Sequence, residues 1–181
     1  MKTTQGTQCK IAVIRHGDYI RPLYTNRPHL TKFGRGQMIR IAELIQDHHL
    51  DDTNRILILS SPVGRVIESA DAIAETLLQQ PELTIVRHDP LEILIPRYPF
   101  LNPSRANDAI QKIDEILSTS LIDLVIIVTH YALAPILAKQ YSALRGADEW
   151  QNARLGDIPK GNGVIIDPKG HVKEINFLHD I

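Results

Sequence analysis

Ile11-Ala12-Val13-Ile14-Arg15-His16-Gly17 is a short apolar run that stops at a guanidinium, an imidazole and a glycine. The same pattern returns twice. Ile56-Leu57-Ile58-Leu59 runs into Ser60-Ser61-Pro62, with Arg65 just beyond, and Leu124-Val125-Ile126-Ile127-Val128 runs into Thr129-His130. Unbroken apolar runs rich in branched residues suit strands covered on both faces, as in a parallel sheet. Thr84 to Val86 is a weaker run of the same kind.

Helical patterns fill the intervals. Met38, Ile41, Ala42 and Ile45 recur at i, i+3, i+4, i+7, and so do Val63, Val66, Ile67 and Ala70, continued by Ile73, Ala74 and Leu77. Ile110, Ile113 and Leu117 share one face of a third helix, for which Ser104 is the expected N-cap. Leu133 to Leu144 is apolar nearly all round, which predicts a well-buried helix. Gly163 to Ile166 and Val172 to Phe177 flank Asp167-Pro168-Lys169-Gly170 and read as a hairpin. Strands alternating with helices predict an α/β fold over residues 1–181. It is a single-domain three-layer sandwich with a mostly parallel sheet, helices on both faces and a C-terminal hairpin.

The three polar terminations share one address, the carboxyl end of a predicted strand, where open parallel sheets bind ligands. Two arginines and two histidines can therefore converge on one cleft. Guanidinium pairs hold a phosphate dianion by charge-assisted hydrogen bonds. The start of the helix after Ser61 adds backbone donors. A neutral imidazole can attack phosphorus in line with the leaving oxygen, and nearby positive charge keeps it neutral. The arginines supply the charge that phosphoryl transfer requires, so neither a metal nor another cofactor is expected.

The chain of 181 residues is 43% hydrophobic and 23% charged, and its net charge of −1 lacks the basic footprint of a nucleic-acid binder. Neither a Gly-x-Gly-x-x-Gly turn nor a Gly-Lys-Thr phosphate loop is present, which argues against a nucleotide-binding module. Cys9 is the one cysteine, in keeping with a reducing compartment. The polar stretch Met1 to Gln8 is unlike a secretory signal, and the apolar runs are too short to span a membrane. A cytoplasmic protein with no membrane partner is the expectation; the sequence leaves its oligomeric state open.

These segments, in this order, resemble the histidine phosphatase superfamily, whose fold is shared with cofactor-dependent phosphoglycerate mutases. Ile14-Arg15-His16-Gly17 is similar to the family signature, and His29-Leu30-Thr31-Lys32-Phe33-Gly34-Arg35-Gly36-Gln37 to its Leu-Thr-x-x-Gly-x-x-Gln helix opening. Ser60 to Arg65 resembles the segment of the second arginine, and Val128-Thr129-His130 that of the second histidine. The resemblance implies that His16 becomes phosphorylated and is freed by water, with Arg15, Arg65 and His130 cradling the phosphoryl oxygens. Two departures stand out. Tyr131-Ala132 follow the second histidine where many members have glycines, and Leu91-Glu92 are adjacent where the mutase-like branch spaces Leu and Glu by one residue. Glu92 is the first choice for general acid and Asp89 the second. Without an acid, the substrate would carry an easy leaving group, such as the nitrogen of a phosphohistidine or phosphoramidate.

The short span from Glu92 to His130 leaves the expected site open to water, which favours hydrolysis over phosphoryl return. The reading is therefore a phosphatase acting on a phosphorylated small molecule or a phosphohistidine protein. A mutase-like phosphotransferase and a silent phosphate-binding domain remain as alternatives. Tyr19 and Arg21 in the loop after the nucleophile, with Arg97 and Tyr98, are the expected readers of the leaving group.

Overall fold

The structure, a computed structural model, describes residues 9–21, 27–50, 55–87, 89–96, 102–147 and 156–177. Its main sheet has six strands: β1 (Lys10–Arg15), β4 (Arg55–Ser60), β5 (Thr84–Arg87), β6 (Leu124–Thr129), β7 (Gly163–Ile166) and β8 (Val172–Ile175). The spatial order is β5-β4-β6-β1-β7-β8. The first four of that order run parallel, while β7 is antiparallel to β1 and β8 to β7. The sheet is thus mostly parallel and ends in the expected hairpin.

Side chains alternate across each central strand, so one apolar run feeds two cores. Ile11 and Val13 of β1 join Leu57, Val125 and Ile127 beneath α3 (Asn102–Leu117) and α4 (Ala134–Leu144). Ala12 and Ile14 join Ile56, Ile58 and Ile126 beneath α1 (Lys32–His49) and α2 (Gly64–Leu77). Two helices on each face explain why β1, β4 and β6 read as unbroken hydrophobic runs.

Three local expectations need correction. Ser104 does not cap α3; it lies inside a helix that begins at Asn102, because Pro103 fits a first turn whose N–H groups lack helical partners anyway. α4 is less enclosed than its sequence suggests. Leu137, Ala138 and Tyr141 pack inward, but Leu144 at its end is 69% exposed. The segment after His16 is not simply a loop, since β2 (Tyr19–Ile20) pairs with β3 (His29–Leu30) in a short antiparallel ribbon. The Glu68 carboxylate on α2 holds it by accepting from the Leu30 amide at 2.6 Å and meeting His29 Nδ1 at 2.9 Å. No helix among the described residues is long and apolar enough to cross a membrane.

Candidate active site

The order β4-β6-β1 sets three carboxyl ends side by side. Arg15 lies opposite Thr129, and Ser60 opposite Val128. The chain keeps its register for one residue past each strand. His16 N–H donates to Thr129 O at 3.1 Å, and Ser61 N–H to Val128 O at 3.2 Å. His16 and His130 therefore emerge from neighbouring strands with ring centroids 5.5 Å apart, both buried. Arg65, on the first turn of α2, reaches between them from the adjacent strand end.

The partners fix the tautomers. A carbonyl only accepts and a guanidinium only donates. His16 Nδ1 sits 2.8 Å from Gly17 O and carries the proton, while Nε2 accepts from Arg65 Nε at 3.1 Å. His130 Nδ1 accepts from Arg65 Nη2 at 3.1 Å, so its Nε2–H donates to Ser61 Oγ at 2.9 Å. Both imidazoles are neutral, and both lone pairs converge on one guanidinium. Burial is the largest cause of the low basicity, taking His16 to about 4 and His130 to about 3. Arg65 and Arg15 push both further down.

Arg15 forms the second cationic wall. Its Nη1 donates to Ile158 O at 3.0 Å, its guanidinium lies 4.7 Å from the Tyr131 ring centroid, and its buried Nε has no hydrogen-bond partner. An unpaired buried donor is costly, and an oxyanion would satisfy it. Tyr131 packs against Arg15. Half-exposed, it donates its hydroxyl to Asp157 Oδ2 at 2.6 Å. Tyr19 packs edge-on to His16 at 5.2 Å and also against Arg65.

Sequence reading missed several groups here. Ser61 orients His130. Ser69 Oγ accepts from Gly17 N–H at 3.2 Å and donates to Arg65 O at 2.7 Å, tying the turn after His16 to α2. Gln37 accepts from the Asp18 amide at 2.8 Å and donates to Lys160 O at 3.2 Å. Lys160 pairs with Asp18 at 2.8 Å. Its signal lay in the topology: β7 runs antiparallel to β1, with Gly163 opposite Ile14, so residues just before β7 must lie at the carboxyl end of β1.

Other expected site residues stand further out. Glu92 is exposed on a short 3₁₀ turn, Glu92–Leu94, whose preceding amide, Leu91 N–H, donates to Ser60 O at 2.8 Å. The turn is thus anchored at the end of β4, while no contact joins the Glu92 carboxylate to either histidine. Asp89 is also exposed. Arg21 is exposed, and its charge acts on Arg65. Arg97 and Tyr98 lie outside the described residues. Among the described residues, no group of three or more His, Cys, Asp or Glu is placed to hold a metal ion.

No family model matches the chain, and no curated protein matches it. Solved structures do. A mycobacterial glucosyl-3-phosphoglycerate phosphatase in complex with VO3 aligns over 93% of this chain and 98% of its own, at 14% identity and a TM-score of 0.58. A protein assigned provisionally as the phosphohistidine phosphatase SixA of Agrobacterium tumefaciens aligns over 93% and 96%, at 14% identity and 0.60. The alpha-ribazole phosphatase of Shigella flexneri aligns over 91% and 93%, at 16% and 0.55. The chain shares its fold with these structures over nearly its whole length.

Proposed function

We propose that the protein is a member of the histidine phosphatase superfamily that hydrolyses phosphate monoesters or phosphoramidates through a phosphohistidine on His16. The observation that carries this reading is Arg65 bridging the lone pairs of two neutral histidines at adjacent strand ends. An arriving phosphoryl dianion gives Arg65 better acceptors than imidazole nitrogen. The guanidinium turns to the oxygens, Arg15 takes others, and His16 Nε2 is released as a nucleophile. Its lone pair forms the N–P bond while the bond from phosphorus to the leaving oxygen breaks, and that oxygen takes up a proton. Glu92, carried by a turn anchored at the end of β4, is the proposed proton donor. Water then attacks phosphorus, gives its proton to the Glu92 carboxylate, and breaks the N–P bond to regenerate neutral His16 and inorganic phosphate.

Purified protein is expected to hydrolyse para-nitrophenyl phosphate in the presence of a metal chelator. An alkaline quench during turnover should trap phosphate on His16, detected by mass spectrometry. The acid limb of kcat/KM should reflect His16 near pH 4 together with the second ionisation of the substrate at about 6. No turnover and no label on a folded protein would overturn the reading.

Arg65→Ala should lower kcat/KM by about 10²–10³-fold, the usual cost of losing a donor that stabilises transition-state charge. It should also move the acid limb upward, because the charge removed is one that depresses both histidines. A loss below tenfold would mean that Arg65 is only a structural bridge.

A further inference from the structure

Lys160 stands outside the histidine–arginine centre, yet its backbone is fastened to it. Gly161 N–H donates to His16 O at 3.2 Å, and Gln37 Nε2 to Lys160 O at 3.2 Å. Gly161 has φ +73°, and a Cβ there would lie 2.5 Å from the Gln37 side chain, so the turn carrying Lys160 has little freedom. From this base the ammonium reaches Asp18 Oδ1 at 2.8 Å and stands 4.8 Å from the Tyr19 ring centroid. The same ring lies 4.4 Å from the Arg65 guanidinium carbon. A continuous chain of contacts thus runs from Lys160 through Tyr19 to Arg65, and from there to His16 Nε2 and His130 Nδ1.

We propose that Lys160 is a positioning residue for this site: braced by Asp18, its ammonium sets the Tyr19 ring, and the ring sets the Arg65 guanidinium between the two histidines. The argument is geometric first. Tyr19 sits on a two-residue strand at the mouth, and such a short ribbon cannot fix an aromatic ring unaided. Lys160 holds it twice, through the ring and through the carboxylate of the preceding residue. A cation–π contact with a partly desolvated ring is strong enough to orient a side chain. The charge of Lys160 also reaches His16, where it lowers basicity together with Arg65 and Arg15. The charged and titratable groups around His16 are Arg15 on β1, Asp18 and Tyr19 after it, Arg65 on α2, His130 after β6 and Lys160 before β7. Asp157 and Tyr131 stand by Arg15, and Arg21 acts on Arg65.

Two substitutions separate positioning from a through-space charge effect, because both break the same ion pair but change the charge in opposite senses. Lys160→Met keeps the aliphatic stem and removes the positive charge; Asp18→Asn keeps the shape and removes the negative one. The readout is the titration of the His16 ring followed by NMR. Both Lys160→Met and Asp18→Asn should move the His16 midpoint up, by about 0.5 in pH, because each releases the Tyr19 ring and lets Arg65 drift from His16, and Lys160→Arg should restore it. In the kinetic arm, which alone rests on the phosphatase reading, Lys160→Met should lower kcat/KM for para-nitrophenyl phosphate roughly tenfold, with recovery in Lys160→Arg. Opposite shifts in the two variants, which the removed charges alone would give, or an unmoved midpoint with unchanged kinetics, would overturn the proposal. A wild type without turnover would sink the phosphatase reading and leave the NMR comparison to decide the role of Lys160.

Discussion

Replacing His16 with alanine should lower turnover of para-nitrophenyl phosphate by on the order of 10⁴-fold or more, while the protein stays folded and still binds inorganic phosphate. The substrate has a good leaving group, so the assay reports the nucleophile and not the acid. Binding should survive because Arg15 and Arg65 remain. The less obvious question is why His16 and not His130, since both present a lone pair to Arg65. The answer lies at the opposite nitrogens. His16 Nδ1–H faces the Gly17 carbonyl, which accepts and never donates, so Nε2 is held as the unprotonated nitrogen of the ring. His130 Nε2 faces the Ser61 hydroxyl, which can reverse its hydrogen bond. His130 can therefore change tautomer and donate to a phosphoryl oxygen, a supporting role. His130→Ala should lose about 10²–10³-fold and still accumulate phosphate on His16. A labelled His130, or turnover that survives in His16→Ala, would exchange the two roles.

What the sequence made legible follows from how each residue is placed. His16, Arg65 and His130 sit at or just beyond the ends of unbroken apolar runs, and parallel strands bring such ends together whatever the intervening loops do. The convergence was therefore readable without coordinates. Lys160 was not, because its position depends on the antiparallel register of β7 against β1, and nothing in Pro159-Lys160-Gly161 announces that pairing. Tyr19 was placed at the mouth from its nearness to His16, but its two cationic neighbours come from α2 and from the turn before β7, more than 40 residues away in sequence. Ser104 failed as a cap for a local reason: serine competes well for N-cap positions only when the helix does not already start upstream, and here Pro103 is accommodated in the first turn.

Gly34→Ala should destabilise the protein by about 3 kcal/mol or more, a fall in Tm of roughly 10 °C for a chain of this size, and should lower phosphatase activity in the fraction that remains folded. The backbones of the Gly17-Asp18 turn and of α1 touch directly. A Cβ on Gly34 would lie 2.0 Å from the Asp18 carbonyl oxygen, and one on Gly17 would lie 2.4 Å from the Gly34 carbonyl oxygen. No rotamer relieves such a contact, because the atoms met are backbone. Relief requires α1 to move away from Gly17 and Asp18. That movement would break the Gln37 contacts to Asp18 and Lys160 and loosen the carbonyl that fixes the His16 tautomer. Gly36 supplies the control within the same helix. Nothing lies within 4 Å of a Cβ there, and the position is exposed. Gly36→Ala should therefore stabilise by about 0.5–1 kcal/mol through helix propensity alone. Thermal unfolding of the two variants side by side decides the matter. Opposite signs two residues apart would show that the requirement at Gly34 is the close approach of α1 to the Gly17-Asp18 turn, whereas equal effects would reduce both glycines to ordinary helix positions.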